Sequence, residues 1–267
     1  MWRVRRASRL IWPSVVAFGV VLGVWWLLSA TGAVPARDLP SPATVWHKLA
    51  HRTWTGKFPD EALHSLIRLA FGMAVAAVIG TVVGVAMAAS RPFQRSVGSL
   101  VVGLQAMPPI AWLPLAALWF GFNEKAVVFV TILGAFPAIA LATAAAVRQV
   151  SPLLVRAGRT LGAHGWELYR HVVVPAAVPG YVQGLRQGWV FAWRSLLAAE
   201  IIIQGGIGLG HALTKAGGHL DVASVLALMI VVFLIGIVID TAFAALDRRV
   251  RAKRGLTALV PAQEAAA

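Results

Sequence analysis

Cysteine is missing from the entire 267-residue sequence, which excludes a disulfide framework, a thiol nucleophile and any cysteine-ligated metal. Charge is scarce too. Only 13% of the residues are Asp, Glu, Lys or Arg, against about a quarter in an ordinary soluble domain. Acidic residues are the rarer sign, 10 against 24 basic ones, for a formal net charge of +14. That excess does not indicate nucleic acid, because the basic residues sit in the connections between apolar runs and form no patch with interleaved aromatics. The phosphate-cradling pattern Gly-x-x-x-x-Gly-Lys-[Ser/Thr] is absent: Gly56-Lys57 is followed by Phe58, with no glycine five residues upstream. The chain cannot hydrolyse ATP by that route. No Ser/His/Asp, zincin or paired-carboxylate set sits at a coherent depth, so catalysis is not expected. His47 and His51 stand at i and i+4, but no third ligand accompanies them and no metal is expected there.

What the chain has in abundance is apolar length. It is 59% hydrophobic with a mean hydropathy of +0.77, and reads as an all-α polytopic membrane protein. Uncharged or nearly uncharged runs at 10–30, 62–89, 97–120, 126–147, 178–203 and 223–246 each have the length that a hydrocarbon core of about 30 Å requires. The first run is too long for the apolar region of a cleavable signal peptide, the other reading of a basic-then-apolar start. Its Trp25-Trp26 pair fits an interfacial belt. Between the first two runs, Pro35, Pro40, Pro42 and Pro59 break a polar connection into extended pieces, with Ser41-Pro42 opening a short helix through His51. Gly80 and Gly84 form a small-xxx-small pair that lets another helix approach closely. The fourth run is kinked at Pro137.

Six spans leave both termini on one side. That side holds 15 of the 24 Lys and Arg, the other side six, and the spans themselves contain Arg68, Arg186 and Arg194. By the positive-inside rule the termini, the basic tail 247–267 and the long polar connection after the fourth span face the cytoplasm.

Two spans carry irregularities. Pro108, Pro109 and Pro114 in the third cannot sit in an unbroken helix, since each removes a backbone donor and clashes with the preceding turn. Broken backbone at membrane depth is tolerated where it is buried in protein or faces a wet cavity, so these prolines mark either a translocation pathway or a packing kink. In the fifth span, Arg186, Trp189, Trp193, Leu196 and Glu200 fall on one helical stripe, with Arg194 near mid-span. Intramembrane charges face a bundle interior or a wet cavity. Exposed to a cavity, the guanidiniums are ready anion sites; the alternative is that Arg186, Arg194, Glu200 and Asp240 pair across helices.

The long polar connection, 151–175, is the segment around which the rest is arranged. From Pro152 to Trp166 the apolar Leu154, Ala157, Leu161 and Trp166 recur at near-helical spacing while Arg156, Arg159 and Glu167 stay polar. This predicts a short amphipathic helix, ended or bent by Gly162 and Gly165, with Pro175 and Pro179 fixing re-entry into the fifth span. Such a helix presses its apolar face into a cleft on a soluble partner or rests on lipid headgroups.

The spacing resembles the coupling loop of ABC importer permeases: a Glu-Ala-Ala triplet, three residues, Gly, nine residues, then hydrophobic-x-hydrophobic-Pro. Ala157, Gly162, Val172, Val174 and Pro175 match, while Arg156 and Gly158 stand where the family has Glu and Ala. With Leu39-Pro-Ser-Pro-Ala-Thr-Val-Trp46, Met107 to Gly121, Ala192-Trp-Arg-Ser-Leu-Leu-Ala-Ala-Glu200 and Gly206-Ile-Gly-Leu-Gly210, nearly the whole chain resembles permeases of aliphatic sulfonate, taurine and nitrate importers. The resemblance implies a type I importer fold with six transmembrane helices in the plasma membrane of a bacterium. It also implies a second permease copy, a cytoplasmic ATPase dimer that holds the ATP and Mg, and an extracytoplasmic solute-binding protein. Ala157 to Gly165, with Leu161, Gly162 and Ala163, is then the segment that inserts into an ATPase groove. The implied cargo is an alkanesulfonate, taurine or nitrate, with bicarbonate and vitamin precursors as alternatives. A stand-alone secondary transporter would show inverted repeats with matched intramembrane carboxylates, which are not seen.

Overall fold

Serine followed by proline marks where several helices begin. Ser41, Ser90 and Ser151 each accept a hydrogen bond from a backbone N–H of the first turn that follows, and proline occupies one of the next two positions, where its missing donor is not needed. A computed structural model describes residues 2–203 and 206–253, with side chains from Val16 onward. Of the basic tail, residues 254–267 lie outside the described residues, as do the side chains of Arg3, Arg5, Arg6 and Arg9.

Every described element is helical. In order they are α1 (Trp2–Ala30), α2 (Pro42–Trp54), α3 (Lys57–Ala89), α4 (Arg91–Ala106), a 3-10 turn (Pro109–Trp112), α5 (Leu113–Phe120) and α6 (Glu124–Arg148). There follow α7 (Pro152–Thr160), α8 (Gly165–Leu168), a π turn (Tyr169–Val173), α9 (Val174–Ile202), α10 (Leu209–Gly218) and α11 (Val222–Ala252). The α3, α6 and α11 helices are long and apolar enough to cross a membrane. The α4–α5 pair, bent by 98°, makes a fourth crossing if it is one span. The broken backbone expected around Pro108, Pro109 and Pro114 is thus found as a near right-angle turn. At 29 residues, α9 is about 43 Å long at 1.5 Å per residue, but Gln183, Arg186, Gln187, Arg194 and Glu200 make it more polar than those three.

Small residues set the core. A Cβ on Gly80 would lie 2.9 Å from both Ile139 Cβ and the Phe136 carbonyl oxygen, and one on Gly84 would lie 2.6 Å from the Ala140 carbonyl oxygen. Only glycine permits this approach, so the small-xxx-small pair does bring a helix close, and that helix is α6. Contacts advance together along both chains, from Gly72 at Thr131 to Gly84 at Thr143, so α3 and α6 run parallel. Gly180, Gly184 and Gly188 of α9 meet Ala146, Ala142 and Ile139 in reverse order, so α9 runs antiparallel to α6. Buried Ala76, Val130, Ala135, Ile139, Ala192 and Leu196 fill the three-helix centre. Pro137 lies inside α6 and is buried, and the helix continues through it.

This arrangement gives the bundle two distinct ends. One gathers α2, α10 and the starts of α3, α6 and α11; the other carries α7, α8 and the π turn.

Candidate functional site

The polar connection builds a compact helix-turn-helix. Ser151 caps α7, and the helix stops at Thr160, just ahead of Gly162, where a closed C-terminal motif ends it. The Ala163 N–H donates to the Gly158 carbonyl at 3.0 Å and the Gly162 N–H to the Arg159 carbonyl at 3.0 Å. This is a Schellman cap, and its left-handed residue is Gly162 at φ +92°. Gly165, at φ +51°, turns the chain into α8. The helical run then widens at the π turn, where the Val174 N–H reaches the Tyr169 carbonyl, and enters α9 with Pro175 in its first turn.

Gly158 is the buried pivot: a Cβ there would lie 2.9 Å from both Leu168 Cδ1 and Val172 Cγ2. Glycine where the family has Ala therefore lets α7 lie closer on the π turn. Leu154, Ala157, Gly158 and Leu161 on α7, with Val172 and Pro175 opposite, line an open groove of about 500 Å³. Leu161 is 88% exposed and Trp166 74%, so the apolar face predicted from the spacing has no cover among the described residues. Arg156 is exposed and makes no ion pair among them. The structure thus brings Ala157, Gly158, Leu161 and Pro175 onto one groove, with Arg156 outside it and Gly162 and Ala163 forming the cap beside it.

The α9 stripe divides. Trp189 and Trp193 are buried and stacked, with ring centroids 5.5 Å apart. Arg186 makes a two-pronged pair with Asp240 of α11, through Nε and Nη2, at 2.7 Å each. Glu200 is 0% exposed. It accepts from Ser65 Oγ at 2.8 Å, Arg68 Nη1 at 2.7 Å and the Gly210 N–H at 3.0 Å. Trp189, Trp193 and Glu200, expected on a pathway, therefore lie inside this chain's bundle; pairing across helices, the other reading, holds for Arg186 with Asp240 and for Glu200 with Arg68. Arg194 points the other way, exposed and unpaired among the described residues, on the same face as exposed Gln187 and half-buried Gln183. Of the three prolines, Pro108 and Pro114 are exposed. Pro109 packs toward α6, its Cγ 3.3 Å from where a Gly134 Cβ would be.

The Arg68 hub was hidden from the sequence. Its second nitrogen holds Glu124 at the start of α6, and Ser65 also accepts the Leu209 N–H at 2.9 Å. The buried guanidinium thus ties α3 to α6 and α9, and Ser65 and Glu200 add α10, at one end of the bundle. His211 lies against the hub; burial pushes its imidazole below its ordinary range, Glu200 opposes that and Arg68 adds to it. An arginine inside an apolar run is a visible signal, but partners 56 and 132 residues away are not. Among the described residues no group of three or more His, Cys, Asp or Glu could hold a metal.

Long apolar helices around a glycine-packed core, an interrupted span and an exposed helix-turn-helix at one end define a membrane transport subunit. Residues 64–252 match the family described as binding-protein-dependent transport system inner membrane component, and the chain belongs to that family. It is 31% identical to the taurine transport system permease protein TauC of Escherichia coli (strain K12), over 91% of this chain and 90% of that protein. It is 28% identical to the bicarbonate transport system permease protein CmpB of Synechococcus elongatus, over 92% and 91%. Among solved structures, an inward-facing form of the MetNI methionine ABC transporter superimposes with a TM-score of 0.63 at 21% identity, covering 71% of this chain and 94% of that one. The chain has the fold of an ABC importer permease and serves as the permease subunit of such an importer, a transport component rather than an ATPase.

Proposed function

We propose that this permease carries a small anion of the alkanesulfonate, taurine or nitrate type. The observation that supports the anion is Arg194. A charge at the centre of a membrane helix costs about 2.5 to 3.5 kcal/mol on insertion scales, which favours a wet or protein-covered setting over lipid. Arg194 has no countercharge among the described residues, so an anion in transit is the natural one. A second copy of the chain across this face, making a homodimer, would enclose Gln183, Gln187 and Arg194 between the two bundles. The exposed prolines Pro108 and Pro114 would border the same path. Bicarbonate is the second reading, favoured by the likeness to CmpB.

The α7 groove is the proposed seat of a cytoplasmic ATPase dimer, which binds ATP and Mg and performs the hydrolysis. A solute-binding protein delivers cargo at the opposite end. Both termini are cytoplasmic on this reading, supported by the surplus of basic residues on that side. Closure of the ATPase dimer draws the two α7 segments together and opens the bundles outward, and hydrolysis resets them. Two measurements test the proposal. Arg194→Leu lowers anion uptake in proteoliposomes at least tenfold while the ATPase still co-purifies. Unchanged uptake removes the anion role, and loss of assembly makes the arginine structural.

A further inference from the structure

At the end of the bundle opposite α7, a second cavity of about 460 Å³ opens between α2, α3, α10 and α11. Its walls carry four cationic side chains, Lys48, Arg52, Lys57 and Lys215, and two carboxylates, Glu61 and Asp221. Each carboxylate has one cationic partner, although Glu61 Oε2 is buried without a hydrogen-bond partner among the described residues. Lys48 Nζ lies 2.8 Å from Asp221 and Arg52 Nη2 lies 2.7 Å from Glu61. Lys57 and Lys215 are exposed and unpaired among the described residues, which leaves the cavity with two uncompensated positive charges.

Two further features have the same sign. Lys57 opens α3, whose preceding residue Gly56 supplies no side-chain cap, so the positive end of this 33-residue helix carries no capping side chain. The acidic residue of that first turn, Asp60, is not part of the wall and lies 3.7 Å from His64. Arg52 Nε is buried yet has no hydrogen-bond partner among the described residues, while the guanidinium sits 4.7 Å over the Phe58 ring. Glu61 Oε2 is likewise buried without a partner, so the orphaned donor and acceptor belong to one incompletely closed ion pair.

We infer that this cavity binds a small oxyanion such as a sulfonate or carboxylate group, held by Lys57 and Lys215 against the start of α3. The inference goes beyond the transport reading, since the cavity is separate from Arg194 and needs no knowledge of the cargo. With the sidedness proposed above, the site is an antechamber at the mouth where cargo arrives. A free anion and a carboxylate on the docked binding protein share this chemistry. The concave shape favours the free anion.

Saturation-transfer NMR of methanesulfonate on the full-length permease in nanodiscs tests this, with dimethyl sulfone as the neutral probe of the same shape. The expected result is saturable transfer to methanesulfonate and none to dimethyl sulfone. In the Arg194→Leu background, which removes the proposed transport-path site, saturable binding is retained, falls at least tenfold on adding Lys57→Gln/Lys215→Gln, and recovers with Lys57→Arg/Lys215→Arg. Equal transfer to both probes, or unchanged affinity in the Gln pair, overturns the site. So does a Gln pair that keeps methanesulfonate binding but loses affinity for the binding protein, because the lysines then meet a partner's carboxylate. Retention in Arg194→Leu separates this result from the fate of the transport reading, which is judged by uptake.

Discussion

Gly162 offers the sharpest perturbation, because two different effects can be separated there by choice of side chain. At φ +92° it occupies the left-handed region, and a Cβ at that position meets nothing within 4 Å. Within this chain a substitution is therefore penalised by the backbone and not by a clash. An L-residue with a Cβ pays about 1–2 kcal/mol in that conformation, while Asn tolerates it best after glycine. Since 1.4 kcal/mol is a factor of about ten, Gly162→Ala should lower the equilibrium constant for the capped loop by roughly five- to thirtyfold, and reduce uptake by at most that factor. Gly162→Asn should stay within about twofold of wild type. Gly162→Trp bears the same backbone penalty as Ala, and adds an indole that projects from the loop beside exposed Leu161. If a partner seats on this surface, Trp abolishes ATP-driven uptake in proteoliposomes while insertion and the circular dichroism spectrum stay normal. Equal residual uptake in the Ala and Trp variants would mean that only the backbone matters and that no partner seats on this surface.

Three other outcomes follow from the packing and the hub. Gly84→Ala forces a methyl to 2.6 Å from the Ala140 carbonyl oxygen, and should destabilise by about 1–3 kcal/mol as overpacking. Gly103→Ala, with nothing within 4 Å, should not lower the melting temperature in detergent. Arg68→Met leaves Glu200 buried without its cation, a change of the kind that costs about 3–5 kcal/mol. Adding Glu200→Gln should restore most of the loss, and failure to restore it would show that the pair is not the cause. Because burial holds the His211 imidazole below its ordinary range, the unfolded chain takes up that proton first as pH falls. Stability is then full above about pH 6.5 and drops progressively below it. His211→Gln should flatten the melting-temperature difference between about pH 7.5 and 5.5, and an unchanged slope would count against it.

Periodicity and punctuation made the helices legible. Long apolar runs gave α3, α6 and α11, the Ser41-Pro42 pair gave the start of α2, and the proline cluster gave the turn between α4 and α5. Gly80 and Gly84 announced a close approach without saying to what, because a small residue specifies distance and not identity. The α7 loop was read through its glycines: Gly162 is the residue of the Schellman cap that ends the helix, although Leu161 and Trp166 continue the apolar rhythm beyond it. On α9 the stripe predicted which residues share a face but not which way it points. Arg186, Trp189, Trp193 and Glu200 all carry groups that suit either a pathway or a bundle interior, and only the positions of Arg68 and Asp240 decide. Those partners come from distant helices, as does the basic cavity formed by α2, α3, α10 and α11, so neither is visible along the chain.

The central claim is that this chain is the membrane half of an ATP-driven machine for a small anion. The most direct measurement is the ATPase rate of the purified permease–ATPase complex in lipid with its binding protein, against a series of alkanesulfonates, taurine, nitrate, bicarbonate and a neutral vitamin precursor. One anion should raise the rate severalfold and the neutral precursor should not. Stimulation by the neutral compound alone would contradict the anion assignment.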